Sequence, residues 1–247
     1  MGQSERKKSF IARHWWIIPV AVVLILAVVF FTYTGIYYRA DEIAAEAMRS
    51  DEVVTVRETD FGYLFDGPSD DSALIFYPGG KVEESAYAPL LHELAAAGVD
   101  VCLVKMPFRL AIFDANAASD VISSTSYEHY YLGGHSLGGA MAARYAASEG
   151  SIEGLFLLAA YPTLDLPATL PVVSIVGSSD TVVDREKMEA GRAYVAGEYR
   201  EYVIEGGNHA LFGSYGAQKG DGSPTITAAE QGARTVEIIM ESLSKGE

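Results

Sequence analysis

Gly134-His135-Ser136-Leu137-Gly138 is the stretch on which the reading of this chain turns. The apolar run Tyr130-Tyr131-Leu132 precedes it, and Ala140-Met141-Ala142-Ala143-Arg144-Tyr145-Ala146-Ala147 follows. That order predicts a strand, a tight turn and a helix. A G-x-S-x-G pentapeptide in this setting is a nucleophile elbow, which lifts one serine hydroxyl above the sheet edge. Gly134 and Gly138 lack Cβ atoms, so strand and helix can close around a serine held in an unfavourable backbone region. Ser136 also precedes a helix N-terminus, whose partial positive charge favours a developing anion.

Working outward, apolar β-rich runs alternate with helical patterns. Strands are expected at 53–59 and 62–65 as a hairpin, then at 73–77, 99–105, 127–132, 155–159, 172–176 and 199–204. Helices are expected at 85–97, 111–124, 140–148, 185–195 and 228–243. Continuous apolar strands separated by helices predict an α/β fold, a mostly parallel sheet with helices on both faces. Ligands of such sheets bind at the carboxyl ends of the strands.

Two further loops fall on that edge. Asp180 lies in Gly177-Ser178-Ser179-Asp180-Thr181 after one strand, and His209 in Gly206-Gly207-Asn208-His209-Ala210 after the last. In the order Ser136, Asp180, His209 they compose a candidate triad. A serine hydroxyl is a weak nucleophile, so His209 takes its proton and Asp180 fixes the imidazole tautomer. Asp165 is an alternative acid. An oxyanion needs backbone N–H donors. Leu137 is one candidate, and Gly80 or Lys81 of Tyr77-Pro78-Gly79-Gly80-Lys81-Val82 is the other. Met106, Phe108, Tyr161 and Phe212 are expected to wall the substrate pocket. His135 is expected to pack beneath the elbow, while His92 and His129 read as structural.

Residues 53–247 resemble the α/β-hydrolase superfamily, and within it the compact bacterial α/β-hydrolase family 5 domain of dienelactone-hydrolase-like size. The resemblance rests on the glycine loop at 77–82, the elbow at 134–139, and Gly206-Gly207-Asn208-His209-Ala210-Leu211-Phe212-Gly213-Ser214-Tyr215-Gly216. It implies an eight-stranded sheet and serine hydrolase chemistry. Pro78 departs from the histidine that many superfamily members carry before the glycines. Only ten residues, 161–170, separate the sixth and seventh strands, where lipases of this superfamily commonly insert a lid. An open, shallow site for small or medium acyl esters is therefore expected, with no cofactor. The alternatives are an acyltransferase or peptidase using the same triad, and a non-catalytic surface binding domain of this fold.

Residues 15–38 contain no charged side chain. As a helix they would span about 36 Å, more than the ~30 Å hydrocarbon core of a bilayer. Trp15 and Trp16 mark one end, and Tyr33, Tyr37 and Tyr38 the other, as aromatic belts do. Arg6, Lys7, Lys8 and Arg13 precede the span, which by the positive-inside rule leaves the N-terminus cytoplasmic and the remainder extracytoplasmic at the cell membrane. A cleaved signal peptide would have an apolar core of roughly 7–15 residues and a small-residue cleavage site. The longer core here favours an uncleaved signal anchor.

The expected organisation is a basic tail (1–14), a transmembrane anchor (15–38), a helical stalk (39–52) and a hydrolase domain (53–247). Four of the 18 Lys and Arg and one of the 33 Asp and Glu precede residue 39, so the remainder carries 14 against 32, a net of −18. Such a surface repels nucleic acid. The single Cys102 cannot form an intramolecular disulfide, and the scattered histidines argue against a metal site. Oligomeric state is not encoded in any pattern found.

Overall fold

A computed structural model describes residues 15–69 and 71–244. The expected basic tail, 1–14, lies outside the described residues. The chain divides into two units, one ending at Tyr37 and one beginning at Tyr38. The first contains helix α1, Ile17–Gly35. Its 19 residues would cover about 28 Å at roughly 1.5 Å per residue. By length and composition α1 can cross a membrane, a property it shares with signal sequences.

The second unit is built on an eight-stranded sheet in the order β1-β2-β4-β3-β5-β6-β7-β8. The strands are β1 (Thr55–Thr59), β2 (Gly62–Asp66), β3 (Ser72–Tyr77), β4 (Asp100–Val104), β5 (His129–His135), β6 (Gly154–Leu158), β7 (Val172–Gly177) and β8 (Tyr199–Ile204). Strands β1, β2 and β4 pair antiparallel, and every pair from β4 onward is parallel. The parallel strands are apolar throughout because both faces are covered. Alternation along β3 shows it: Leu74 and Phe76 enter one core, while Ala73, Ile75 and Tyr77 enter the other. The first core lies under α3 (Ala88–Ala96) and α7 (Ala228–Leu243), the second under α4 (Ala117–Ser124) and α5 (Leu137–Ala146). Cys102 is buried in the second core, where burial pushes its thiol up to about 12.

Several boundaries shift from expectation, and three of the differences alter the reading of the chain. The helix expected at 111–124 is broken: a 3₁₀ turn at Ala111–Phe113 is followed by α4, with Asp114-Ala115-Asn116 between them. The segment expected as an anchor, 15–38, extends one residue into the second unit, which begins at Tyr38. Its N–H donates to Lys81 O at 2.8 Å, and its C=O accepts from Glu83 N–H at 2.9 Å. Residues 39–52 also do not stand free as a stalk. They carry helix α2 (Glu42–Ala47), capped by Asp41, with Ala44 fully buried in contact with the α3 side of the domain. Asp41 N–H donates to Ser214 O at 2.9 Å. A small amphipathic helix next to an apolar surface gains more from docking than from solvation.

Candidate active site

Strand β5 ends at His135 and α5 begins at Leu137, with Ser136 between them at φ 52°, ψ −122°. That conformation is costly for a residue with a Cβ. Bonds on both sides hold it: Ser136 N–H donates to Leu158 O at 2.9 Å, and Ser136 O accepts from Ala140 N–H at 3.0 Å. The motif glycines are needed for close approach. A Cβ on Gly138 would collide with the carbonyl oxygens of Tyr77 and Pro78, and one on Gly134 with Gly139 N. The serine is half-buried at the helix N-terminus.

Asp180 follows β7 and His209 follows β8. His209 Nδ1 lies 2.8 Å from Asp180 Oδ2, and both side chains are buried. Asp180 Oδ1 accepts from the N–H groups of Val182 (2.8 Å) and Val183 (2.9 Å). Burial alone would raise the Asp180 carboxyl. The hydrogen bond and charge of His209 and the two N–H donors outweigh it and hold the group below the ordinary carboxylate value. Asp165, the alternative acid, is exposed on the loop after β6.

The histidine loop is braced from outside the motif. The side chain of Gln231, fully buried on α7, accepts from Asn208 N–H at 3.0 Å and donates to Asn208 O at 2.9 Å. Asp221 accepts from Ala210 N–H at 2.8 Å. Thr181, next to Asp180, donates its hydroxyl to Gly220 O at 2.8 Å. The segment around Gly220–Gly222 therefore clamps the Asp180 and His209 loops together. Neither Gln231 nor Asp221 carries a signal in the sequence, since each acts through a long-range pairing.

In the glycine loop, Gly79 N–H donates to Tyr87 Oη at 2.9 Å. Lys81 N–H donates to Arg109 O at 2.8 Å and is thus engaged. Among the described residues, Gly80 N–H has no hydrogen-bond partner. A Cβ on Gly80 would press on the Leu137 side chain. Of the two expected donors, Gly80 is therefore the one left available beside Leu137.

The expected pocket walls separate. Met106 is buried in the second core and Phe212 in the first, on opposite faces of the sheet. Tyr161 is half-buried against Gly191. Only Phe108 is exposed, and its ring meets Phe113 edge-on with centroids 5.7 Å apart. Ile112 and Phe113, both exposed, add apolar surface to the same loop. A cavity of about 420 Å³ lies between Ile112, Phe113, Asn116 and, on α5, Met141 and Arg144. Among the described residues no cluster of three or more His, Cys, Asp or Glu could hold a metal ion.

This arrangement, a strained serine before a helix and a buried Asp–His pair at the neighbouring strand ends, defines the class of an α/β-hydrolase. A family profile described as "Alpha/beta hydrolase family" matches residues 73–233, and the chain belongs to that family. No curated protein sequence matches it. Among solved structures it is similar to esterase 2 of Thermogutta terrifontis phosphoramylated by tabun, with TM-score 0.55 and 15% identity over 79% of this chain and 96% of that one. It is also similar to Est1E from Butyrivibrio proteoclasticus, with TM-score 0.55 and 15% identity over 78% of this chain and 100% of that one. At these identities the likeness is one of fold.

Proposed function

We propose that this protein is a membrane-anchored, extracytoplasmic serine hydrolase, a carboxylesterase acting on small or medium acyl esters. The observation that carries the reading is the buried Asp180–His209 pair at the sheet edge where the elbow presents Ser136. In this mechanism Ser136 Oγ attacks the ester carbonyl while His209 Nε2 takes its proton. Asp180 keeps the Nδ1–H tautomer and stabilises the imidazolium. The N–H groups of Leu137 and Gly80 hold the oxyanion. His209 then protonates the leaving alkoxide, and an ester links Ser136 to the acyl group. Water, deprotonated by His209, releases the acid and restores the serine.

The solved esterases of similar fold support ester chemistry. The short 161–170 segment supports an open site, since it forms no helix between β6 and β7. The apolar rim of Phe108, Ile112 and Phe113 supports an acyl substrate. Helix α1 supports the anchor, and Arg6, Lys7, Lys8 and Arg13 support a cytoplasmic N-terminus.

A fluorophosphonate probe tests the chemistry. Labelling of Ser136 in folded protein, abolished in Ser136→Ala, is expected; no adduct would end the serine hydrolase reading. A chain-length series of nitrophenyl esters, with competing alcohols and amines, then separates hydrolysis from acyl transfer. Carbonate extraction of membranes tests the anchor: retention in the pellet is expected, and full release would reject it.

A further inference from the structure

A buried tyrosine–histidine pair lies directly under the proposed catalytic groups and takes no part in the mechanism above. Tyr87 is fully buried and His135 nearly so. Tyr87 Oη lies 2.8 Å from His135 Nδ1 and also accepts from Gly79 N–H. A hydroxyl has one proton. Gly79 N–H donates to the Tyr87 oxygen, and the direction of the bond between Tyr87 Oη and His135 Nδ1 follows the imidazole tautomer. Burial, and after it the neighbouring His209, hold the His135 ring well below its ordinary pKa, so it is neutral.

The pair touches all three loops of the site. Through Gly79 it grips the glycine loop one residue before Gly80. His135 is the residue before Ser136 in the elbow. Its ring lies 4.4 Å, centroid to centroid, from that of His209 and 5.5 Å from that of Phe212. Its Nε2 is buried and has no partner at hydrogen-bonding geometry among the described residues. Gly79 is shaped for this contact, because a Cβ there would fall 2.6 Å from Tyr87 Oη and 2.7 Å from His135 Nδ1. Filling this space with apolar side chains would avoid desolvating a phenol and an imidazole. What an apolar filling lacks is an acceptor for Gly79 N–H and a polar link from that loop to the elbow.

We infer that Tyr87 and His135 are positioning residues: their hydrogen bond sets the glycine loop, and with it the Gly80 N–H, in register with Ser136 and His209. The inference rests on the serine hydrolase reading. It predicts an effect on stabilisation of the tetrahedral intermediate rather than on substrate binding, because the proposed mechanism gives Gly80 N–H the developing charge to hold.

The test compares Tyr87→Phe, His135→Leu and His135→Asn in the full chain in detergent. Asn keeps an acceptor near the Nδ1 position and Leu does not. Wild type is first labelled at Ser136 with fluorophosphonate, and active-site titration normalises every rate. For Tyr87→Phe and His135→Leu, kcat is expected to fall by about 10- to 100-fold, the scale of a misplaced or lost oxyanion donor. KM should move less than about threefold by the same logic of differential binding. Affinity for a trifluoromethyl ketone, which mimics the tetrahedral species, should fall in parallel with kcat/KM. His135→Asn should recover most of the His135→Leu loss.

Titrated kcat near wild type in Tyr87→Phe overturns the inference, as does a kcat loss without a matching loss of ketone affinity. If Tyr87→Phe shows no cooperative unfolding transition, the two His135 variants decide, and equal kcat in Asn and Leu overturns it. Absence of label in wild type overturns the serine hydrolase reading itself, so the two failures are distinct.

Discussion

Asp180→Asn changes one atom and makes the most demanding test of the proposed site. The outcome follows from which oxygen of Asp180 is already in use. Oδ1 accepts from Val182 N–H and Val183 N–H, and Oδ2 faces His209 Nδ1. An asparagine must choose how to orient its amide. Placing NH₂ toward the two valines would confront two buried N–H donors with a third donor group, at about 1–3 kcal/mol for each unsatisfied donor. The amide oxygen therefore stays with the valines and the NH₂ points at His209. His209 must then accept at Nδ1, which moves its proton to Nε2, the atom that has to receive the Ser136 proton. A tautomer error of this kind costs a serine hydrolase roughly 10⁴-fold in kcat. At about 1.36 kcal/mol per tenfold this is roughly 5 kcal/mol of barrier. Initial rates on nitrophenyl butyrate, normalised to folded protein, measure it. The fold should survive, since both valine bonds remain. A loss smaller than about tenfold would refute the assignment of Asp180 as tautomer anchor. So would a larger loss in Asp165→Asn, which is expected to stay near wild type because Asp165 is exposed on a neighbouring loop.

Gln231→Leu removes both partners of the buried Asn208 peptide groups. At about 1–3 kcal/mol per unpaired group and roughly 2–4 °C per kcal/mol, calorimetry should show Tm lower by on the order of 10 °C; an unchanged Tm would remove Gln231 from the support of the histidine loop. The Asp180 carboxyl is depressed below its ordinary 3.8, so its contribution to stability is present above that pH and is lost as pH falls through its lower folded value. The Tm gap between wild type and Asp180→Asn should therefore shrink on acidification below 3.8, and a gap that widens contradicts the sign. A chain beginning at Ile36 should be more stable than one beginning at Glu42. The shorter one lacks the main-chain bonds from Tyr38 and Asp41 to Lys81, Glu83 and Ser214, each worth about 0.5–1.5 kcal/mol. Equal denaturant midpoints would show that segment to be a dispensable tether.

What could be read in advance was whatever depends on neighbours in sequence. The elbow was legible because strand, turn and helix are contiguous and the two glycines sit at fixed offsets from Ser136. The meeting of Asp180 and His209 is legible because each lies in the loop after an apolar strand, and parallel strands deliver their carboxyl ends to one edge. The braces were not. Tyr87 lies within what reads as a plain apolar helix, and its partner His135 is 48 residues away. Gln231 meets Asn208 across 23 residues. The pocket walls failed for a related reason. Whether a residue just past a strand faces the first or the second core depends on pleat and loop path, so Met106 and Phe212 were drawn to opposite faces. Residues 39–52 read as helix-prone and carry α2, but propensity does not say what a helix docks against.

The distribution of backbone strain ties these observations together. Among the described residues, the non-glycine positions with positive φ are Lys81, Phe108, Arg109, Ser136 and Ala159. They follow β3, β4, β5 and β6, four strands that meet at the same sheet edge. Each such residue costs on the order of 1–3 kcal/mol, which together rivals the ~5–15 kcal/mol net stability of a typical domain. Strain on that scale persists only where surrounding bonds leave no relaxed alternative. Those bonds are visible: Lys81 is held by Arg109 O on one side and Tyr38 N–H on the other, Ser136 by Leu158 O and Ala140 N–H, and Ala159 by Ile175 O. Tyr38 and Arg109 thus hold Lys81, and with it the glycine loop, through main-chain bonds. Loosening either removes a bond that holds Lys81 at positive φ, one residue from Gly80. Tyr38, just past α1, is accordingly part of what holds the glycine loop at 77–82 in place.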